Sequence, residues 1–131
     1  MKKGVLLNSE ISAVVAKMGH TDLLAITDCG LPIPDEIKRI DIALTKDVPG
    51  FVATLKVVLT ELKVEEVIIA KEMEAENPQI HQVIQEIFKG IKISKVSHEE
   101  FKVLTKRTRA CIRTGECTPY ANIILKSGVT F

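Results

Sequence analysis

Val67-Ile68-Ile69-Ala70, then Asn77-Pro78, the inward set Ile80, Val83, Ile84, Ile87 and Phe88, the stop Lys89-Gly90, and finally Ile91 to Val96 form the stretch on which the fold turns. A short unbroken apolar run is the pattern of a strand covered on both faces. The spacing after Asn77 is helical, and proline is tolerated in a first helical turn because its missing N–H would be unpaired there anyway. Gly90 can adopt the left-handed conformation that ends a helix. The stretch reads strand, helix, strand.

The same alternation recurs on both sides. Ile11, Val14, Val15 and Met18 predict a helix from about Ser9 to Met18, capped by Asn8 or Ser9 and stopped at Gly19. Leu23 to Thr27 is a second buried run, ending in the rigid loop Asp28-Cys29-Gly30-Leu31-Pro32-Ile33-Pro34. Arg39 to Leu44 reads as a strand, and Pro49 as the first turn of a helix whose stripe is Phe51, Leu55, Val58, Leu59 and Leu62. Downstream, Ser97-His98-Glu99-Glu100 is a capping box for a short helix that holds Phe101 and Leu104 on the sheet. Ala110 to Arg113 and Ala121 to Leu125 are final strands joined too closely for a helical crossover, so they should pair antiparallel or lie at an edge. The expectation is α/β: a single layered domain over residues 1–131, with a largely parallel sheet flanked by helices.

Composition narrows the function classes. A chain of 131 residues with 46% hydrophobic residues can bury a core without disulfides or a structural metal. Eighteen Lys+Arg against seventeen Asp+Glu give a net charge of +1, which steers the molecule neither to nucleic acid nor to an anionic membrane. No apolar run approaches the ~20 residues of a membrane span, and the start lacks a signal peptide's apolar region, so a cytoplasmic protein is expected. Cys29, Cys111 and Cys117 are an odd count without a Cys-x-x-Cys pair, which argues for reduced thiols. No glycine-rich nucleotide loop is present.

In open α/β sheets the ligand crevice lies beyond the carboxyl ends of the strands. That places Asp28, Lys71 with Glu72, and His98 under scrutiny. Asp28 sits on a loop stiffened by Pro32 and Pro34, which suits a preorganised binding carboxylate, and it suits equally an Asp accepting N–H bonds within its own turn. His98 opens the capped helix, a place that suits a partly exposed cap-region residue as well as a ring pointed toward the crevice, with Lys102 four residues on along the same helical side. His20 lies in a helix-to-strand turn, while His81 falls outside its helix's apolar stripe and reads as surface. Tyr120 is the only tyrosine and tryptophan is absent, so recognition must rest on hydrogen bonds rather than aromatic stacking. Tyr120, Ala121 and Asn122 offer a phenol, backbone donors and an amide together. Lys106-Arg107-Thr108-Arg109 reads as a solvated face.

Several of these residues lie in blocks that resemble a known family, the ribose/fucose mutarotases, in its ribose pyranase branch. The blocks are Lys3 to Ser12, Gly19-His20-Thr21-Asp22, Asp28 to Pro34, Arg39-Ile40-Asp41, Asn77-Pro78, Arg113-Thr114-Gly115-Glu116 and Thr118 to Leu125. Gly-His-Thr-Asp resembles the ribose branch, where fucose mutarotases typically carry Gly-His-Gly-Asp. The resemblance implies interconversion of the pyranose and furanose forms of D-ribose without a cofactor or metal, supplying furanose to ribokinase. It implies His20 as proton donor, Asp28, His98 and Tyr120 to Asn122 as sugar-binding residues, and a ring-shaped homo-oligomer, often a decamer. Lys102 remains a further candidate for the sugar. The rival of another class is a non-catalytic cytoplasmic ribose-binding accessory of a sugar transporter.

Changing ring size means opening a hemiacetal: the ring oxygen gains a proton, the anomeric hydroxyl loses one, and a different hydroxyl recloses the aldehyde. Imidazole offers both protonation forms near neutral pH, so His20 could donate on opening and accept on closing. With residues 21–27 extended, His20 and Asp28 stand roughly 25 Å apart at ~3.3 Å per residue. Either the chain bends at Thr21-Asp22, or His20 reaches the sugar from a neighbouring subunit; the second is expected.

Overall fold

Side chains alternate across each central strand, and both sides are apolar. The computed structural model describes residues 1–131 and contains α1 (Ser9–Lys17), β1 (Leu23–Thr27), β2 (Arg39–Asp41), α2 (Phe51–Val58), β3 (Val64–Ala70), α3 (Met73–Glu76), α4 (Pro78–Ile87), β4 (Lys92–Val96), α5 (His98–Thr105), β5 (Ala110–Arg113) and β6 (Ile123–Ser127). The sheet order is β2-β5-β1-β6-β3-β4. Only β6 runs antiparallel to its neighbours, β1 and β3. The remaining pairs are parallel.

On one face Leu24, Ile26, Val67, Ile69, Ile112, Ile123 and Leu125 pack with Ile11 of α1, Phe51, Leu55 and Val58 of α2, and Ile84 of α4. On the other, Ala25, Cys111 and Ile124 pack with Phe101 of α5 and with Leu31 and Ile33 of the loop after β1. The sheet is thus the middle of three layers, as a layered α/β domain requires. Each fully buried large side chain contributes about 1.5–3 kcal/mol relative to exposure, so the larger face carries most of the stability.

The strand–helix–strand stretch folds as its pattern dictates, with Asn77 accepting from the Ile80 N–H as N-cap and Gly90 at φ 83°. The capping box at Ser97 and Glu100 forms in full. Four expectations need correction. The strand from Arg39 ends at Asp41, because β2 is an edge strand paired only with β5. Pro49 precedes α2, with Gly50 as the N-cap, and the helix stops at Val58, leaving Leu62 buried in the turns beyond. Helix α1 ends at Lys17 with Met18 as its extended C-cap, and the left-handed residue of the turn that follows is Thr21 (φ 69°), not Gly19. The two final strands do not pair with each other, and neither is an edge: β1 lies between them. Residues 114–122 therefore arch over the end of β1 rather than forming a hairpin.

Candidate active site

That arch determines what surrounds Asp28. The Thr114 hydroxyl donates to the Thr27 carbonyl at 2.7 Å, and the Cys29 N–H donates to the Glu116 carbonyl at 2.8 Å, so the arch is stitched to the strand end beneath it. Glu116 also caps α2 by accepting the Phe51 N–H at 3.0 Å. Gly115 fits because nothing larger can: a Cβ there would lie 2.5 Å from the Thr45 and Val48 carbonyl oxygens.

Asp28 is held on three sides. Its Oδ1 accepts from the Gly30 and Leu31 N–H groups at 2.9 and 2.8 Å, and its Oδ2 accepts from Asn122 Nδ2 at 3.0 Å. Asn122 is fully buried and returns the contact, its Oδ1 accepting the Asp28 N–H at 2.9 Å. An ionised carboxylate offers about four acceptor positions, and three are filled. One direction on Oδ2 is left for an incoming hydroxyl. Asp28 stabilises its own turn, one of the two readings the sequence left open, and one of its acceptor positions carries no protein donor.

Asp28 opens into a pocket of about 340 Å³ walled by Gly30, Leu31, Pro32, His98, Pro119 and Tyr120. The His98 and Tyr120 rings meet edge to face, with centroids 5.0 Å apart at 86°. Tyr120 has φ 55°, a left-handed conformation rare for a bulky residue. Such strain persists only where surroundings enforce it. Here Asn77 Nδ2 grips the preceding residues, donating to Thr118 Oγ1 at 2.9 Å and to the Pro119 carbonyl at 2.8 Å. Behind His98, Glu72 Oε2 accepts the His98 backbone N–H at 2.8 Å.

Of the residues singled out in the sequence, Asp28, His98 and Tyr120 share this pocket. Asn122 supports it from behind Asp28, and Ala121 is fully buried. Lys102 is not in the pocket wall and pairs instead with Glu99 at 2.8 Å. His20 lies at the other end of β1. Its Nε2 is 2.8 Å from Glu65 Oε2 at the start of β3, and that contact, more than any other, holds the Glu65 carboxyl below its ordinary range. Thr21 makes the turn there, and β1, which spans roughly 13 Å from Leu23 to Thr27 at ~3.3 Å per step, stands between His20 and Asp28. The Gly19 N–H donates to Asp22 Oδ2 and Arg109 reaches Asp22 Oδ1 at 2.7 Å, fixing the turn that presents His20.

Sequence reasoning gave Glu72 no role and missed Glu65 and the second function of Asn77. Asn77 signalled only a helix cap. Cys29 and Cys117 also meet, sulfur to sulfur at 3.3 Å, and the neighbouring Cys117 thiol pushes the Cys29 thiol up. No helix is long and apolar enough to cross a membrane.

Comparison with known proteins accords with this geometry. A D-ribose pyranase of Clostridium perfringens (strain SM101 / Type A) is 63% identical over 131 residues, covering 100% of both chains. The structure of Bacillus subtilis RbsD complexed with D-ribose superposes with a TM-score of 0.97 at 46% identity, again over 100% of each chain. A fucose mutarotase from Streptococcus pneumoniae in complex with L-fucose shares the fold, with a TM-score of 0.81 at 22% identity and 100% of each chain covered. The profile of the RbsD / FucU transport protein family matches residues 1–130, and the chain belongs to that family.

Proposed function

We propose that the protein interconverts the pyranose and furanose forms of D-ribose by general acid–base opening and reclosure of the ring, in the pocket at the end of β1. The observation that carries this reading is Asp28, clamped by Asn122 with one acceptor direction free beside His98 and Tyr120. It is supported by the D-ribose pyranases that resemble the chain from end to end and by the D-ribose-bound relative of the same fold.

Asp28 accepts a sugar hydroxyl, Tyr120 and the backbone around Ala121 and Asn122 orient the others, and Lys102 stands further off. His20 donates to the ring oxygen. Because β1 separates His20 from Asp28, the complete site draws His20 from a neighbouring subunit of a ring-shaped homo-oligomer, with a decamer as the expected assembly. A C–O bond breaks and reforms and protons shift, with no change of oxidation state, so the reaction calls for no redox cofactor. The furanose product would serve ribokinase in the cytoplasm.

Saturation-transfer NMR of ribose reads pyranose–furanose exchange directly. The intact protein should accelerate it, and His20→Ala should lose about 10²–10⁴-fold, the span of a well-placed general acid. Undiminished exchange in His20→Ala contradicts the assignment. Ribose binding without any acceleration by the intact protein would leave a transporter's sugar-binding accessory instead.

A further inference from the structure

Only two buried side-chain nitrogen or oxygen atoms in the chain have no hydrogen-bond partner: Glu72 Oε1 and His98 Nδ1. They belong to residues that already touch, since Glu72 Oε2 accepts the His98 backbone N–H at 2.8 Å. An enclosed acceptor or donor left unpaired costs on the order of 1–3 kcal/mol. No direct hydrogen bond joins the two atoms, but one water accepting from Nδ1–H and donating to Oε1 would satisfy both. A neutral imidazole so protonated carries its free lone pair on Nε2. His98 lines the pocket it shares with Asp28 and Tyr120, and with Nδ1 enclosed, Nε2 is the ring nitrogen left to act there.

We propose that Glu72 is a positioning residue that holds His98 in its Nδ1–H form, and that His98 Nε2 is the base that takes the anomeric proton when the ring opens. The proposal rests on reading this pocket as a ribose site. On opening, the bond from C1 to the ring oxygen breaks and its electron pair stays on that oxygen, which receives a proton from His20. The electrons of the anomeric O–H bond become the second bond of the aldehyde, and the proton passes to Nε2. Nothing is oxidised or reduced. Reclosure runs the same transfers in reverse through a different hydroxyl. The assignment divides acid and base between two histidines at opposite ends of β1, which one imidazole serving both directions would not require.

Glu72→Gln tests this. Glutamine keeps the size and can still accept the His98 N–H through its carbonyl, but it presents an NH₂ to Nδ1, which must then accept. Long-range ¹H–¹⁵N spectra of histidine-labelled, sugar-free protein, with the His98 signals assigned from His98→Gln, report which nitrogen carries hydrogen. The wild type should show Nδ1–H and Glu72→Gln should show Nε2–H. Ribose exchange should fall about 10²-fold while ribose affinity stays within about threefold. An Nε2–H form in the wild type, or an unchanged exchange rate in a folded Glu72→Gln, overturns the proposal. If that variant fails to fold, the wild-type spectrum decides alone. Failure of the ribose reading would look different: no accelerated exchange by the wild type, whichever nitrogen is protonated.

Discussion

Asp28 shows how much a single carboxylate depends on its setting. Free in a loop it would be hydrated on all sides; here three of its acceptor positions are taken by Gly30, Leu31 and Asn122. A hydrogen bond to a charged group contributes about 1.5–3 kcal/mol, so Asp28→Asn should weaken ribose binding by roughly 10- to 100-fold in an NMR titration. Affinity equal to the wild type would remove Asp28 from the sugar's contacts. The stiffness of its loop was legible in Pro32 and Pro34. Its clamp was not, because Asn122 is 94 positions away in sequence. Glu72 stood out as a strand-end residue, but its contact with His98 was hidden for the same reason: the two meet only because β3 and β4 pair in the register that sets Ala70 opposite Val96.

The turn bearing His20 makes a residue-scale statement about pH. Arg109, and then the Gly19 N–H, hold the Asp22 carboxyl below its ordinary 3.8. A carboxyl depressed in the folded state adds stability that is complete above its unfolded value and is lost as pH falls through the folded one. The gap in urea midpoint between wild type and Asp22→Asn should therefore be constant above about pH 5 and close as the pH falls towards about 2. A gap that widens on acidification would contradict the ion pair.

At the scale of elements, Asn77 and Gly115 are two of the residues that fit the arch at 114–122 to its surroundings. Asn77 caps α4 with one end of its amide and holds Thr118 and Pro119 with the other. Asn77→Ala should cost about 2 kcal/mol in thermal unfolding, roughly a cap plus a buried hydrogen bond, and should slow ribose exchange by loosening Tyr120. A stability loss with full exchange would show that the arch does not depend on Asn77. Gly115→Ala must move the Thr45–Val48 backbone, which a Cβ would meet at 2.5 Å, and should cost about 1–3 kcal/mol by urea denaturation. Periodicity and caps made the strand–helix–strand stretch readable. The arch was not, because a short connection between two strands looks the same whether they pair or straddle a third. What places β1 between β5 and β6 is the pairing of Ala25 with both Cys111 and Ile124, which no local pattern encodes.

For the whole molecule the decisive fact is that β1 stands between the two halves of the proposed machinery. The layered α/β class followed from alternating apolar runs, and the structure has it, as a six-stranded sheet with one antiparallel strand. The run expected to be extended from Thr21 to Thr27 is broken by the turn at Thr21, so that only β1, Leu23–Thr27, stands between His20 and Asp28. A site shared between subunits makes the His20→Ala and Asp28→Ala chains each deficient for a different reason, yet complementary when mixed. In hybrids assembled from equal amounts of the two, about a quarter of the sites pair an intact His20 with an intact Asp28 pocket. The most direct measurement is ribose exchange by such hybrids, with subunit mixing verified by mass spectrometry. Recovery to about a quarter of the wild-type rate is expected if each active site spans two subunits; hybrids no faster than the separate variants would contradict it.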